Sequence, residues 1–308
     1  MGKRLNRSEY FFTYMIIISL ACFIGGFFLG AEVMKARSES EIDAITKDFT
    51  LKMNKDQMEK EKKLYKEMDF VQYYHNVMTP LEKFKKAHFE FVEQLNTSSS
   101  GNLKSISTDA FDQADDALKE IEEVSVPNSS PLLQKAKQGY VESLRAYMDG
   151  MNQLIEGNTS EMTKQELIEM RHLEDFKRKW LRAQADWYKA VAFWEEMYVT
   201  NKPLVEKVSQ QSISLAQWKS YPFHLRDYLS AEQLYRSNKM VEFNPEDLTA
   251  RVDSVIHSNQ AQALGWKDIP FAYRVLDTTD AVRKGDFYSL KMKLYPNLKS
   301  PEMPVFTE

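Results

Sequence analysis

The chain has 308 residues, of which 43% are apolar and 28% are charged, and its net charge is −4. This composition supports a packed core, excludes general disorder and suggests two domains. Because acidic and basic residues are interspersed, the chain lacks the basic excess of a nucleic-acid-binding protein, and we expect no nucleic-acid partner. The single cysteine, Cys22, excludes an internal disulfide. Scarce glycine and proline, 10 of each, favour helices over strands.

The first predicted element is a membrane-spanning helix. Tyr10 to Gly30 form 21 residues without charge or proline. At about 1.5 Å per residue, such a helix crosses the roughly 30 Å hydrocarbon layer of a lipid bilayer. The run fits a cleaved signal peptide, a lipoprotein signal or a myristoylation signal less well.

The orientation of the predicted span follows from the basic residues beside it. Three precede the span and two follow it: Lys3, Arg4 and Arg7, then Lys35 and Arg37. Because cytoplasmic flanks carry the excess of Lys and Arg, we expect a cytoplasmic tail at residues 1–9. Residues 31–308 are then extracytoplasmic, and the protein is a single-pass protein of the cell membrane.

Gly26 and Gly30 form a small-residue pair within the predicted span. Such a pair permits close contact between two membrane helices, and it also occurs by chance in apolar segments. We take these two residues as the candidate contact between copies of the chain. A homo-oligomer would form through this helix or through the stalk that follows.

The next predicted elements are a helical stalk, at residues 31–63, and an antiparallel helix bundle, at residues 64–200. The stalk is highly charged and carries a narrow apolar stripe that suits a helix or a short coiled coil. Within the bundle, Thr79 and Pro80 predict a helix restart, and residues 96–107 read as a loop.

A row of tryptophans marks the last helix of the predicted bundle. Trp180, Trp187 and Trp194 recur every seven residues, and small alanines follow each of the first two by three positions. A row of this kind is either a packing spine or an exposed aromatic ridge for a ligand. Because large and small side chains alternate, we predict a structural core that contains the three tryptophans and Phe176.

After residue 200 the helix breaks become more frequent. We predict a small helical subdomain at residues 203–295, with one helix starting at Asn244 and Pro245, and an extended tail at residues 296–308. The expected fold is all-α.

No catalytic motif accompanies this fold. The sequence lacks a phosphate-binding loop, a hydrolase nucleophile elbow and an HExxH zinc motif. His172 and Asp175 lie one turn apart, and Asp115 and Asp116 form an acidic pair, but we interpret all four as surface residues. We therefore predict no catalytic residue, no bound metal and no cofactor.

These features predict a membrane-anchored scaffold, tether or accessory subunit. Its exterior bundle would bind another envelope protein or the cell wall, and its span would contact the lipid bilayer. The alternative is a ligand-sensing ectodomain that signals through a partner membrane subunit, because a tail of nine residues is too short for an output domain.

Overall fold

The computed structural model describes residues 64–97, 103–156, 173–208 and 213–307. Within these ranges the chain is all-helical and contains no strand. Lys62–Glu308 form one compact unit, which contains both segments that we predicted as bundle and subdomain.

The predicted cytoplasmic tail, membrane helix and stalk lie outside the described residues, and so do Gly26 and Gly30. From residue 64 onward, where the structure describes the chain, no helix is long and apolar enough to cross a membrane.

The helices are numbered here in chain order. They are α1 Glu67–Tyr73, α2 Thr79–Thr97, α3 Leu103–Glu122, α4 Pro131–Glu156, α5 Glu174–Glu195, α6 Leu215–Ser220, α7 Phe223–Arg236, α8 Pro245–His257, α9 Gln260–Ala263, α10 Ile269–Thr278, α11 Asp286–Leu294 and α12 Pro304–Thr307. A π-helical segment, Tyr74–Met78, joins α1 to α2, a second one, Glu196–Thr200, follows α5, and Val205–Lys207 form a single 3-10 turn.

The helices pack as a bundle around one hydrophobic core. Helix α4 lies between α3 and α5, and α5 also packs against α7, which joins the N-terminal helices to the C-terminal ones. In turn, α8 packs against α7 and α11. Apolar residues recur every three or four positions along α3, α4 and α5, so each of these helices has an apolar stripe. Each stripe is buried against a neighbouring helix, which explains this arrangement.

The helix does not break before Thr79, where we predicted a restart, because the π-helical segment Tyr74–Met78 leads directly into α2. Thr79 has helical dihedral angles, and the chain turns continuously from α1 into α2. Pro80 cannot donate a backbone hydrogen bond, and its ring crowds the preceding turn. The wider π turn at Tyr74–Met78 accommodates this proline without ending the helix.

The loop predicted at residues 96–107 is shorter than expected. Helix α2 extends to Thr97, and α3 already begins at Leu103. Leu103 and Ser107 are buried, and Ile106 packs against the core. The first turn of α3 is therefore helical although its sequence resembles a loop, because apolar contacts stabilise a helix more than local propensity does.

The C-terminal residues are packed rather than extended. The side chains of Met303, Val305 and Phe306 are buried, and α12 forms one turn of helix where we predicted an extended tail. The Tyr288 hydroxyl donates to the Pro304 carbonyl at 3.3 Å, and Lys291 Nζ donates to the Phe306 carbonyl at 2.6 Å. These contacts hold the segment against α11.

Candidate binding cleft

The tryptophan row lies inside the bundle. Trp180, Trp187 and Trp194 are 3%, 1% and 6% exposed, and Phe176 is 1% exposed. The Trp187 ring stacks on the Tyr73 ring, with the two centroids 5.1 Å apart. Side chains buried to this extent offer no surface to a ligand, so any binding site must lie elsewhere.

Three of the four polar residues that we considered in the sequence lie in the described part of the chain. Asp175 is exposed and pairs with Arg178 and Lys179 on its own helix, whereas His172 lies outside the described residues. Asp115 is half-buried and forms an ion pair with the exposed Lys119.

Asp116 is exposed on the surface of α3. Among the described residues, no three histidine, cysteine or acidic side chains cluster as a metal site.

A cleft of about 550 Å³ opens at the end of α7. One wall is formed by the segment that follows α7, and the other by α10 and the turn after it. Cavities of about 300–1,000 Å³ are typical of sites for small molecules and ligand side chains. We therefore treat this cleft as the candidate functional site.

The cleft has an apolar floor and a charged rim. The floor consists of buried or half-buried apolar side chains: Phe89, Leu234, Met240, Val241, Phe243, Leu248, Tyr273, Leu276 and Val282. The rim consists of exposed charged side chains: Lys239, Glu242, Arg274, Asp277, Asp280, Arg283 and Lys284. An apolar floor with a few polar groups around it is the usual composition of a binding pocket.

Each wall of the cleft contains a tight turn. Asn238, directly after α7, has φ 50°, and Asp280, shortly after α10, has φ 47°. Asn and Asp adopt this left-handed conformation more readily than most residues do. Lys239 follows the first turn and Val282 the second, and both residues line the cleft.

A buried lysine forms hydrogen bonds to the end of the first wall, the segment that follows α7. Lys85 Nζ donates to the Phe243 carbonyl at 3.0 Å and to Asn244 Oδ1 at 2.9 Å. Burial lowers the pKa of Lys85 to about 8, while the carboxyl groups of Glu246 and Asp247 oppose that shift. Because Lys85 belongs to α2, these bonds attach the wall to the N-terminal helices.

Buried hydroxyl groups lie directly beneath the cleft. The Tyr273 and Ser230 hydroxyl groups are 2.9 Å apart, and Ser230 and Thr249 are 2.8 Å apart. The Thr249 hydroxyl also donates to the Pro245 carbonyl at 3.1 Å. This chain of hydrogen bonds joins α7, α8 and α10, so it makes the floor of the cleft rigid.

The N-terminal end of α7, away from the cleft, carries a buried pair of titratable side chains, His224 and Asp227. His224 Nδ1 and Asp227 Oδ2 are 3.7 Å apart, and both side chains are fully buried. His224 Nε2 lies 3.2 Å from the Lys299 carbonyl, whereas neither Asp227 oxygen has a hydrogen-bond partner in the described part of the chain. Burial raises the pKa of Asp227 well above its usual range and lowers the pKa of His224.

Sequence reasoning missed the cleft and the buried polar face of α7. The residues of the cleft come from α2, α7, α8, α10 and two connecting segments, so no single stretch of sequence contains them. For α7 one signal was available: His224, Asp227 and Ser230 recur every three residues, as side chains on one helix face do.

Comparison with protein-family models, with curated proteins and with solved structures finds no match to this chain. The functional argument therefore depends on the chain's own residues.

Proposed function

We propose that this chain is a single-pass membrane protein that holds a partner protein outside the membrane, and that the partner binds in the cleft. The observation that carries this proposal is the apolar floor between two walls with charged rims. An exposed apolar recess with a polar border is typical of a protein interaction site.

The membrane anchor in this proposal is supported by the sequence. The uncharged run from Tyr10 to Gly30 has the length of a membrane span, and the basic residues before it favour a cytoplasmic N-terminus. Protease added outside intact cells should then digest residues 31–308, while the full-length protein stays in the membrane fraction. Protection of these residues contradicts the proposed orientation, and a soluble secreted form contradicts the anchor.

Photo-cross-linking in intact cells tests the binding site. A photoreactive phenylalanine analogue at Val241, inside the cleft, should cross-link to a specific partner that mass spectrometry can identify. The same analogue at Met292 is the matched control, since Met292 is 79% exposed but does not line the cleft. We expect no shared product between these two positions.

The second part of the test is a variant in which a bulky side chain blocks the cleft. Ser237 lies exposed at the cleft, so Ser237→Trp adds a large ring without disturbing the core. The purified full-length variant should bind the purified partner at least about tenfold more weakly, a change of about 1.4 kcal/mol. Equal affinity shows that the partner binds elsewhere. If small molecules bind the cleft and no protein cross-links, the ligand-sensing alternative replaces the tether.

A further inference from the structure

The charges around the cleft indicate what kind of segment it binds, given the proposed function. The rim carries four cationic side chains and three carboxylates, as named above. Three of the cations pair with these carboxylates: Lys239 with Asp277, Lys284 with Glu242, and Arg283 with Asp280.

Two of these ion pairs join the two walls of the cleft. Lys239 and Glu242 belong to the segment after α7, whereas Asp277 and Lys284 belong to α10 and the turn that follows it. All four side chains are about half exposed. Exposed ion pairs of this kind contribute little to stability, so a ligand carboxylate can replace Asp277 or Glu242 at little cost.

Arg274 is the remaining cation of the rim, and it has no carboxylate partner in the described part of the chain. Its guanidinium lies 5.6 Å from the centroid of the Phe271 ring, which holds the exposed side chain at the edge of the cleft. A guanidinium presents a planar group that binds a carboxylate through two parallel hydrogen bonds. The rim therefore has one positive charge in excess, on the side chain best suited to a carboxylate.

We infer that the cleft binds an acidic peptide segment of the partner protein, with apolar side chains on the floor and a carboxylate on Arg274. The cations of the rim lie on both walls, so a segment that crosses the opening meets Arg274 on one side and Lys239 on the other. Further acidic residues of the segment then exchange with Asp277 and Glu242 as partners of Lys239 and Lys284.

The test uses the purified full-length chain in detergent and three labelled ten-residue peptides. In the first peptide, Leu and Phe alternate with Glu; in the second, Lys replaces Glu; in the third, Ser replaces Leu and Phe. We expect the first peptide to bind at least about tenfold more tightly than either of the others, with an affinity that falls as salt is raised.

Arg274→Gln should weaken the binding of the acidic peptide about 10- to 100-fold, because it removes a charge-assisted hydrogen bond. Arg178→Gln is the control, since Arg178 is equally cationic, exposed on α5 and outside the cleft. It should leave the affinity unchanged.

Other results overturn the inference in distinguishable ways. If the acidic and basic peptides bind equally and Ser237→Trp weakens both, the cleft is a binding site without the proposed charge preference. If dodecanoate displaces the acidic peptide at equal concentration, the occupant is a free amphiphile rather than a peptide. If no peptide binds, the peptide assignment is wrong, while the cross-linking result still decides the proposed function.

Discussion

Gly139 and Ala183 mark a close approach between α4 and α5. A Cβ atom built on Gly139 would lie 3.0 Å from the Cβ atom of Ala183, which is tighter than ordinary contacts between side chains. The absence of a side chain at Gly139 therefore lets the two helices pack closely, and Ala183 is the small residue between Trp180 and Trp187 on the facing helix.

Replacing Gly139 with a large residue should destabilise the bundle. Gly139→Leu has to separate α4 from α5 or distort them, and we expect a loss of about 1–3 kcal/mol in the free energy of unfolding. Gln138→Leu introduces the same side chain at the exposed neighbouring position and should stay within about 0.5 kcal/mol of the wild type. Urea unfolding followed by circular dichroism measures both variants; equal stability contradicts the close approach.

Removing the central tryptophan should create a cavity. Trp187 is 1% exposed and contacts the rings of Tyr73 and Phe70. Trp187→Ala should therefore lower the free energy of unfolding by about 3–5 kcal/mol. Leu264→Ala is the control, since Leu264 is 50% exposed and should change stability by no more than about 0.5 kcal/mol. A similarly small loss at Trp187 would show that its ring lies on the surface.

The C-terminal segment should contribute to the stability of the whole domain. Phe306 is 1% exposed, and its ring lies 4.7 Å from the His224 ring. We expect Phe306→Ala to cost about 3–5 kcal/mol in the same unfolding measurement. Met292→Ala, at a position that is 79% exposed, should be nearly neutral. An extended, unpacked tail predicts instead that both variants are neutral.

The stability of the domain should depend on pH through Asp227. Burial raises the pKa of Asp227 in the folded state, so its contribution to stability is complete below pH about 4 and is lost as the pH rises. The asparagine side chain in Asp227→Asn cannot ionise, so this variant does not lose stability as the pH rises. Relative to the wild type, we expect the variant to gain about 1.4 kcal/mol for each pH unit above about 4, until the Asp227 carboxyl ionises in the folded protein.

The control for this comparison is Asp109→Asn, because Asp109 is exposed on α3. The difference in unfolding free energy between this variant and the wild type should stay constant over the same pH range. His224 remains in all three proteins, but its Nδ1 lies 3.7 Å from Asp227 Oδ2, so the two side chains titrate as a pair and the comparison reports on both. A difference for Asp227→Asn that does not change with pH means that the Asp227 carboxyl titrates in the folded protein as it does in water.

The helical class and several helix boundaries were predictable from local sequence. Asn244 and Pro245 predicted the start of α8, and the structure begins this helix at Pro245. The seven-residue spacing of the tryptophans puts them on one helix face, and this face is buried. Such features need only neighbouring residues, because capping and helix periodicity act within a few turns.

Two predictions from local sequence were wrong because tertiary packing stabilises a different backbone conformation. Thr79 and Pro80 carry the sequence of a helix start after a break, yet the chain runs without a break from α1 through the π-helical segment Tyr74–Met78 into α2. The prolines of the last residues suggest an extended chain, yet Met303 and Phe306 are buried. In both places the core supplies apolar contacts from distant segments, and these outweigh the propensities of the local residues.

The sequence alone determined that this chain is helical and that its tryptophan row suits a core. Only the tertiary structure decided where the candidate cleft lies, because Phe89, Val241 and Arg274 come together only after three helices have packed. The same holds for the burial of Asp227, which looks like an ordinary polar residue of α7 until α5 and α8 cover it. Helix periodicity repeats every few residues and is visible in any short window, whereas a cleft depends on contacts between residues that are far apart in the chain.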